Sequence, residues 1–158
     1  VERPARMAMM AVGAYVALML GTSTLGRAYV ERQAAGSTGG TAQHVMVAPV
    51  PLTPFTRSVV RELENGYELG QLTWSIPPRY TVSRTGLESG LDTPAARAAA
   101  GSPPAQRFFV WARFPFAETT SAPGGTIVRF DDARYAARGG YSFASTTVAV
   151  PEGVTDPR

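Results

Sequence analysis

The sequence predicts an α+β protein, in which an N-terminal transmembrane helix precedes a small antiparallel β-sheet domain with one or two helices. Three observations support this class. Residues 7–25 form an apolar run without a charge. Asn65-Gly66 separates two strand-like runs, which is the strongest short-range signal for a β-hairpin. Thr93-Pro94 and Ser102-Pro103 are helix-start signals between this hairpin and the later strands.

Composition narrows the functional classes. The 158 residues suffice for one domain with a core, and 44% of them are hydrophobic. Only 17% are charged, which excludes a disordered, charge-rich chain. All 15 cationic side chains are Arg and are scattered singly, so we expect no nucleic-acid partner. The chain has no Cys and one His, which excludes disulfides and thiolate metal sites.

The uncharged run predicts the membrane helix. A helix over residues 7–25 would be about 28 Å long, close to the ~30 Å hydrocarbon core. Its apolar side chains lie all round, and its many small residues favour insertion beside other helices. The expected partners are therefore the lipid bilayer and other membrane helices of the same parent protein. A secretory signal, with Arg3 and Arg6 as its basic region, or a soluble core helix are the alternatives.

The domain organisation follows from glycine and proline. Residues 1–35 are predicted to form the transmembrane helix and its extension, and residues 36–42 a Gly/Ser/Thr linker. Residues 43–150 form the α+β domain, and residues 151–158 are expected to fray. Because the chain begins with Val1 and not with Met, we expect it to be part of a longer protein.

The first half of the domain is predicted to be β-structure. Residues 43–47 form a short strand, after which Pro49, Pro51 and Pro54 impose an extended path outside the hydrogen-bonded ladder. Residues 56–64 and 67–75 are the strands of the hairpin, with Asn65-Gly66 as its loop. The polar residues 79–89 predict no defined element.

The second half mixes helices and strands. Thr93 caps a short helix that begins at Pro94, and Ser102 precedes a helix over residues 103–113. A strand is the alternative for this second segment, because Phe, Val and Trp are good β-formers. Turns are predicted at Pro123-Gly-Gly and Arg138-Gly-Gly. Further strands are predicted at residues 114–120, 126–132 and 141–150, for a sheet of five or six strands in total.

The order of these motifs resembles the C-terminal part of the LexA-binding, inner-membrane-associated hydrolases, for which metal dependence has been proposed. The resemblance extends from the membrane helix to Val150. A proline motif follows the helix and linker, then a hairpin with Gly-Tyr, a helix of the type S-P-x-x-x-R-F-x-x-W-x-R-F-P, and a strand with D-x-R-Y. The matching residues are Val45, Val47, Pro49, Pro51, Leu52, Pro54, Phe55, Gly66, Tyr67, Gly70, Ser102, Pro103, Arg107, Phe108, Trp111, Arg113, Phe114, Pro115, Asp132, Arg134 and Tyr135.

The resemblance implies a bacterial inner-membrane parent with several N-terminal helices. A divalent metal is implied by the family only, and its His and acidic ligands would lie in that N-terminal part, outside this chain. The predicted function is therefore the C-terminal portion of a membrane-bound metal-dependent hydrolase. The alternative is a non-enzymatic, membrane-tethered β-rich interaction module. We predict no catalytic or metal residue here, and a structural role for Pro49, Pro51, Pro54, Tyr67, Gly70, Trp111, Asp132 and Arg134.

Several residues that could take part in catalysis or metal binding are expected to have structural roles only. His44 has no second His or Cys beside it, so we expect a half-exposed strand histidine. Adjacent Asp131 and Asp132 point to opposite faces of a strand and cannot share a cation. Glu62 and Glu64 lie about 7 Å apart along one face, which suits a solvated edge. Residues 142–147 are rich in Ser and Thr but lack a G-x-S-x-G elbow.

Aromatic residues crowd the segment 108–116. A packed core with Arg107 and Arg113 at its rim is the favoured interpretation, and a stacking platform for single-stranded nucleic acid the alternative. Asp132 and Arg134 are two residues apart, so both can project to one face. We expect a partly buried ion pair that fixes this strand end against the linker or the proline motif.

Overall fold

The computed structural model describes residues 2–35, 42–51, 53–136 and 144–153. It confirms the α+β class: a long N-terminal helix precedes two small antiparallel sheets and short helices. The elements are α1 (Glu2–Ala35), β1 (His44–Val50), β2 (Thr53–Leu63), β3 (Gly66–Thr73), β4 (Arg79–Glu88), α2 (Pro94–Ala100), α3 (Pro103–Phe109), β5 (Pro115–Ala122), β6 (Gly125–Asp132), α4 (Ala133–Ala136) and β7 (Ser145–Pro151). The predictions for most of the linker, the Arg138 turn, the start of the last strand and the chain end lie outside the described residues.

Helix α1 has two environments along its length. Residues 3–18 are exposed on every side, and α1 is long and apolar enough to cross a membrane. Beyond them the helix lies on β1, β2 and β3, where Gly26, Val30 and Ala34 are buried. One continuous helix therefore has an exposed N-terminal half and a C-terminal half that packs on the folded domain.

The first sheet is an antiparallel meander in the order β1-β2-β3-β4. The predicted hairpin between β2 and β3 is present, but its loop is Glu64-Asn65, because Leu63 pairs with Gly66. The predicted loop position, one residue later, is wrong. A Cβ on Gly66 would lie 2.1 Å from the carbonyl oxygen of Leu87, so this glycine admits the close approach of β4.

Two expectations for this sheet are corrected. The proline motif stays in the ladder, since Pro49 pairs with Arg57 and, after a bulge, Val50 pairs with Thr53. This is possible because β1 is an edge strand, where a missing N–H can face the open side. The polar residues 79–89 contain β4, the other edge strand, whose mostly exposed side chains hide the alternation that marks a half-buried strand.

The second sheet has the order β5-β6-β7, so the predicted single sheet is wrong. Between β4 and β5 the chain forms α2 and α3, which begin at the predicted Thr93 and Ser102 caps. Helix α3 ends at Phe109, four residues earlier than predicted. The sheets meet where the Ala117 N–H donates to the Ser89 carbonyl over 2.8 Å.

Three apolar clusters hold the layers together. The first joins α1 to one face of the β1–β4 sheet and contains Val30, Val45, Val59 and Leu72. The second fills the other face and contains Val60, Tyr67, Leu69, Leu87, Phe114, Phe116 and Ala133. The third lies between α2–α3 and the β5–β7 sheet and contains Ala95, Ala96, Ala99, Ala105, Phe108, Ala117, Val128, Phe130 and Val150. The middle of the β1–β4 sheet is thus covered on both faces, so a charge that is buried there needs internal partners.

Candidate functional site

Asp132 is fully buried at the end of β6 and is surrounded by donors. Arg134 donates from Nε to both carboxylate oxygens at 3.0 Å and from Nη2 to Oδ2 at 2.7 Å. The backbone N–H groups of Arg113 and Arg134 donate at 2.8 and 3.0 Å. Arg134 Nη2 also donates to the Trp111 carbonyl at 3.2 Å. We call these groups the Asp132 clamp.

The clamp fixes the end of β6 against residues 111–113. The expectation that it holds the linker or the proline motif is therefore wrong. The reason is the early end of α3, after which the chain turns and presents the Trp111 carbonyl and the Arg113 N–H to β6.

Both charges of the clamp are stabilised. Burial alone would raise the pKa of Asp132, but the hydrogen bonds from Arg134 and from the Arg113 and Arg134 N–H groups hold it below its ordinary value. The hydrogen bond to Asp132 raises the pKa of Arg134. A carboxylate so fully bonded is a poor general base, so its geometry suits a structural role.

A buried polar group that sequence reasoning missed lies between α1 and the sheet. Arg61 and Glu68 are both buried and form an ion pair across the hairpin. The Tyr80 hydroxyl donates to Oε1 of Glu68 at 2.9 Å, and burial followed by this bond raises the Tyr80 pKa. Lower on β2, the fully buried Arg57 donates to the Thr22 hydroxyl of α1 at 2.8 Å.

The position of the hairpin loop decides this pairing, and the Asn65-Gly66 signal predicted the wrong register. A loop at Asn65-Gly66 would pair Glu64 with Tyr67, which places Arg61 opposite Gly70. The observed loop one residue earlier places Arg61 opposite Glu68. Register alone thus decides whether Arg61 has a counter-ion.

Gly70 and Tyr67, two of the predicted structural residues, serve this sheet. A Cβ on Gly70 would lie 2.7 Å from Cε2 of Tyr80, so the missing side chain lets that ring cross β3 toward Glu68. The Tyr67 hydroxyl donates to the Pro115 carbonyl at 2.8 Å and ties β3 to β5. Burial, with smaller effects of nearby Glu62 and Asp132, raises the pKa of Tyr67 to about 12.

The remaining motif residues lie closer to the protein surface. Trp111 is 44% exposed and packs edge-on against Phe108, with ring centres 5.1 Å apart. Pro49 and Pro51 line a groove of about 360 Å³ together with Tyr15 and Met19 of α1. Pro54 lies within β2. The proline motif is thus the end of the sheet that lies beside the exposed half of α1.

The other candidate residues make ordinary surface or ion-pair contacts. The His44 side chain is 72% exposed, and its Nδ1 lies 2.9 Å from Oε2 of Glu62. Asp131 pairs with Arg129 at 2.7 Å. Among the described residues, no three His, Cys, Asp or Glu side chains are placed to hold a metal ion. The metal implied by the resemblance therefore finds no fitting ligand set in this part of the chain.

The aromatic segment does not form one platform. Phe108 and Phe109 pack with Phe130 against the β5–β7 sheet, while Phe114 and Phe116 belong to the cluster between the two sheets. The first two side chains and the last two belong to different cores, so these four rings do not form one stacking surface.

No family model, curated protein or solved structure matches this chain. The resemblance to the inner-membrane hydrolases stays a prediction.

Proposed function

We propose that the chain is a membrane-anchored scaffold module, in which α1 crosses the bacterial inner membrane and carries the sheet domain at its surface. The observation that carries the proposal is the docking of α1 on the β1–β4 sheet. A Cβ on Gly26 would lie 2.8 Å from Leu72, and Val30 is completely buried in the shared core. The domain is thus packed directly on the helix that would anchor it.

Polar contacts support the same arrangement. Besides the Arg57–Thr22 bond, the Tyr29 hydroxyl donates to the Pro78 carbonyl at 2.7 Å. These bonds lie on both sides of Gly26 along α1, so they oppose rotation of the helix on the sheet. Small tilts of α1 in the bilayer would therefore move the whole sheet.

The proposed parent is a metal-dependent hydrolase, and this chain would supply scaffold or substrate-side surface next to a catalytic part located elsewhere. The support is the resemblance in motif order, together with the structural use of Tyr67, Gly70 and Asp132 described above. The parent should then hydrolyse its substrate only with a divalent metal, and Gly26→Leu should reduce the rate without touching the catalytic residues.

The second candidate is a non-enzymatic interaction module. It is favoured by the end of the sheet opposite the proline motif, where Glu62, Glu64 and Glu88 lie together at the strand ends. Such an acidic end fits a basic protein partner. A parent that retains partner binding but shows no metal-dependent hydrolysis would support this candidate over the first.

Membrane anchoring itself is tested by fractionation. The chain should stay with membranes after carbonate extraction. Replacing Val12 and Val16 by Asp should release it, because an acidic residue at a helix centre costs about 2.5–3.5 kcal/mol of insertion. The matched control is Val110→Asp, on an 87% exposed side chain outside α1. Full recovery of the unmodified chain in the soluble fraction would refute anchoring, and a cleaved N-terminus would identify a signal peptide.

A further inference from the structure

Two hairpin tips lie at the same end of the β1–β4 sheet, and we call them the apolar rim. They comprise residues 49–51 and 53–55, where β1 ends and β2 begins, and residues 74–78, between β3 and β4. No charge occurs in residues 45–56 or 73–78. Phe55 is 68% exposed and Ile76 is fully exposed, although both are large apolar side chains. Soluble surfaces rarely gather such residues at one edge.

The opposite end of the same sheet has the reverse character. It carries His44 and the three glutamates Glu62, Glu64 and Glu88. The sheet is therefore polarised along its strands, with an apolar rim at one end and an acidic end at the other. This polarity matches an apolar phase on one side and water on the other.

Helix α1 is aligned with this polarity. Thr22 is bonded to Arg57 near the rim, whereas Val30 lies farther up, against Val45 and Val59. The chain direction of α1 thus runs from the rim toward the acidic end. Its exposed half, residues 3–18, projects on the rim side and carries no charge from Met7 onward.

Helix length brings the bilayer to the rim. The uncharged part of α1 begins at Met7, and its exposed residues 7–18 span about 18 Å, whereas the hydrocarbon core is ~30 Å thick. A hydrocarbon core that begins at Met7 therefore extends about 12 Å past residue 18 when α1 lies along the membrane normal. Met19 and Tyr15 line the groove beside Pro49 and Pro51, so this depth includes the tip of the first hairpin.

We propose that the apolar rim inserts into the lipid bilayer next to α1, so that the sheet stands on the membrane with its acidic end in water. This inference rests on the proposed anchoring by α1. Part of the rim backbone is satisfied within the protein, which lowers the cost of insertion. Pro49 pairs with Arg57, Val50 pairs with Thr53, and the Trp74 N–H donates to the Phe55 carbonyl at 2.8 Å. Arg79, exposed just above the second tip, is placed to meet anionic headgroups.

The absence of Cys gives a direct test, because every introduced Cys is a unique labelling site. Full-length Phe55→Cys and Ile76→Cys variants, labelled with an environment-sensitive fluorophore, are reconstituted into phosphatidylcholine/phosphatidylglycerol vesicles. Asn65→Cys, in the loop at the acidic end, is the matched control. Leu18→Cys reports the insertion of α1. Lipids that carry a nitroxide on the acyl chain quench each probe that lies in the bilayer.

The expected result is a blue-shifted emission and strong nitroxide quenching at positions 18, 55 and 76, with neither effect at position 65. Quenching at position 18 alone would overturn the rim proposal and leave anchoring intact. A blue shift without quenching at positions 55 and 76 would also overturn it, since protein and not lipid would then cover the rim. Loss of quenching at position 18 would refute the anchoring and the rim together.

Discussion

Removal of the Asp132 carboxylate should destabilise the protein more than any surface substitution. Asp132→Ala deprives the 21%-exposed Arg134 side chain of its counter-ion and leaves the Arg113 N–H without its acceptor. Breaking a buried pair in this way costs about 3–5 kcal/mol. Arg134→Ala should fall at the lower end of that range, because two backbone N–H groups still solvate the carboxylate.

The double variant shows whether Asp132 and Arg134 are energetically coupled or contribute to stability independently. Asp132→Ala with Arg134→Ala removes both charges, so its effect should be well short of the sum of the single effects. In thermal unfolding of the full chain in detergent, each single variant should lower Tm by on the order of 10 °C. The control is Glu31→Ala, which breaks the exposed pair with Arg27 and should cost at most about 1 kcal/mol.

The clamp also sets a pH dependence. The pKa of Asp132 is lowered in the folded state from its unfolded value of about 3.9. Its stabilisation is therefore complete above that value and is lost as the pH falls through the folded pKa. The acid sensitivity of Tm should be smaller in Asp132→Asn than in the unmodified chain. If both single alanine variants stay within about 1 kcal/mol of the parent stability, the clamp contributes no more than a surface pair and the argument fails.

Two further predictions concern the buried polar group. Gly70→Ala should cost about 1–3 kcal/mol in urea unfolding, because its Cβ would meet the Tyr80 ring at 2.7 Å. Gly13→Ala, in open space on α1, is the control, and an equal loss there would contradict the steric explanation. Glu68→Leu alone should cost about 3–5 kcal/mol, whereas Arg61→Met with Glu68→Leu should recover most of that loss. A double variant as unstable as Glu68→Leu would show that the ion pair itself is needed.

Local signals in the sequence predicted local structure well. The uncharged run predicted α1, and the Thr93 and Ser102 caps predicted where α2 and α3 begin, because these signals depend on a few neighbouring residues. The two-sheet arrangement did not follow from such signals. It depends on contacts between distant segments, such as the bond from Tyr67 to the Pro115 carbonyl.

The buried charges were missed for a related reason. The sequence places Arg57, Val59 and Arg61 at alternate positions, a pattern that is typical of an exposed strand face. Nothing in that pattern indicates that the face is buried under α1. Asp132 and Arg134 were found because their spacing alone brings them together. The segment that this pair contacts, residues 111–113, was not predicted, because its position depends on α3 ending at Phe109. A candidate site could thus be predicted where its groups are neighbours in the chain.

In the proposed anchoring, the side chains of α1 also limit where the bilayer surface lies. Arg27 and Glu31 are exposed and paired at 2.8 Å, so they belong in water or among headgroups. Insertion of the rim requires the bilayer to reach Met19, so its surface would lie within about 12 Å along the helix, between Met19 and Arg27. Within this window the hydroxyls of Thr22 and Thr24 donate to the carbonyls four residues earlier, at 2.7 and 3.1 Å. Both hydroxyls are therefore satisfied without water, as an apolar surrounding requires.

Arg57 lies at the level of this window, and it gives the depth of the rim. Its guanidinium donates to the Thr22 hydroxyl and to Met19 Sδ, so protein groups bond this charge at the end of the window nearest Met19. Phe55 precedes Arg57 by two residues on β2, so its Cα lies about 7 Å farther toward the rim than the Arg57 Cα. Arg57 itself lines the groove beside Pro49 and Pro51, and its guanidinium donates to Met19 Sδ at 3.5 Å, so this charge lies at the depth of the first tip. In the proposed insertion it would enter the bilayer already bonded to α1, as a buried charge needs.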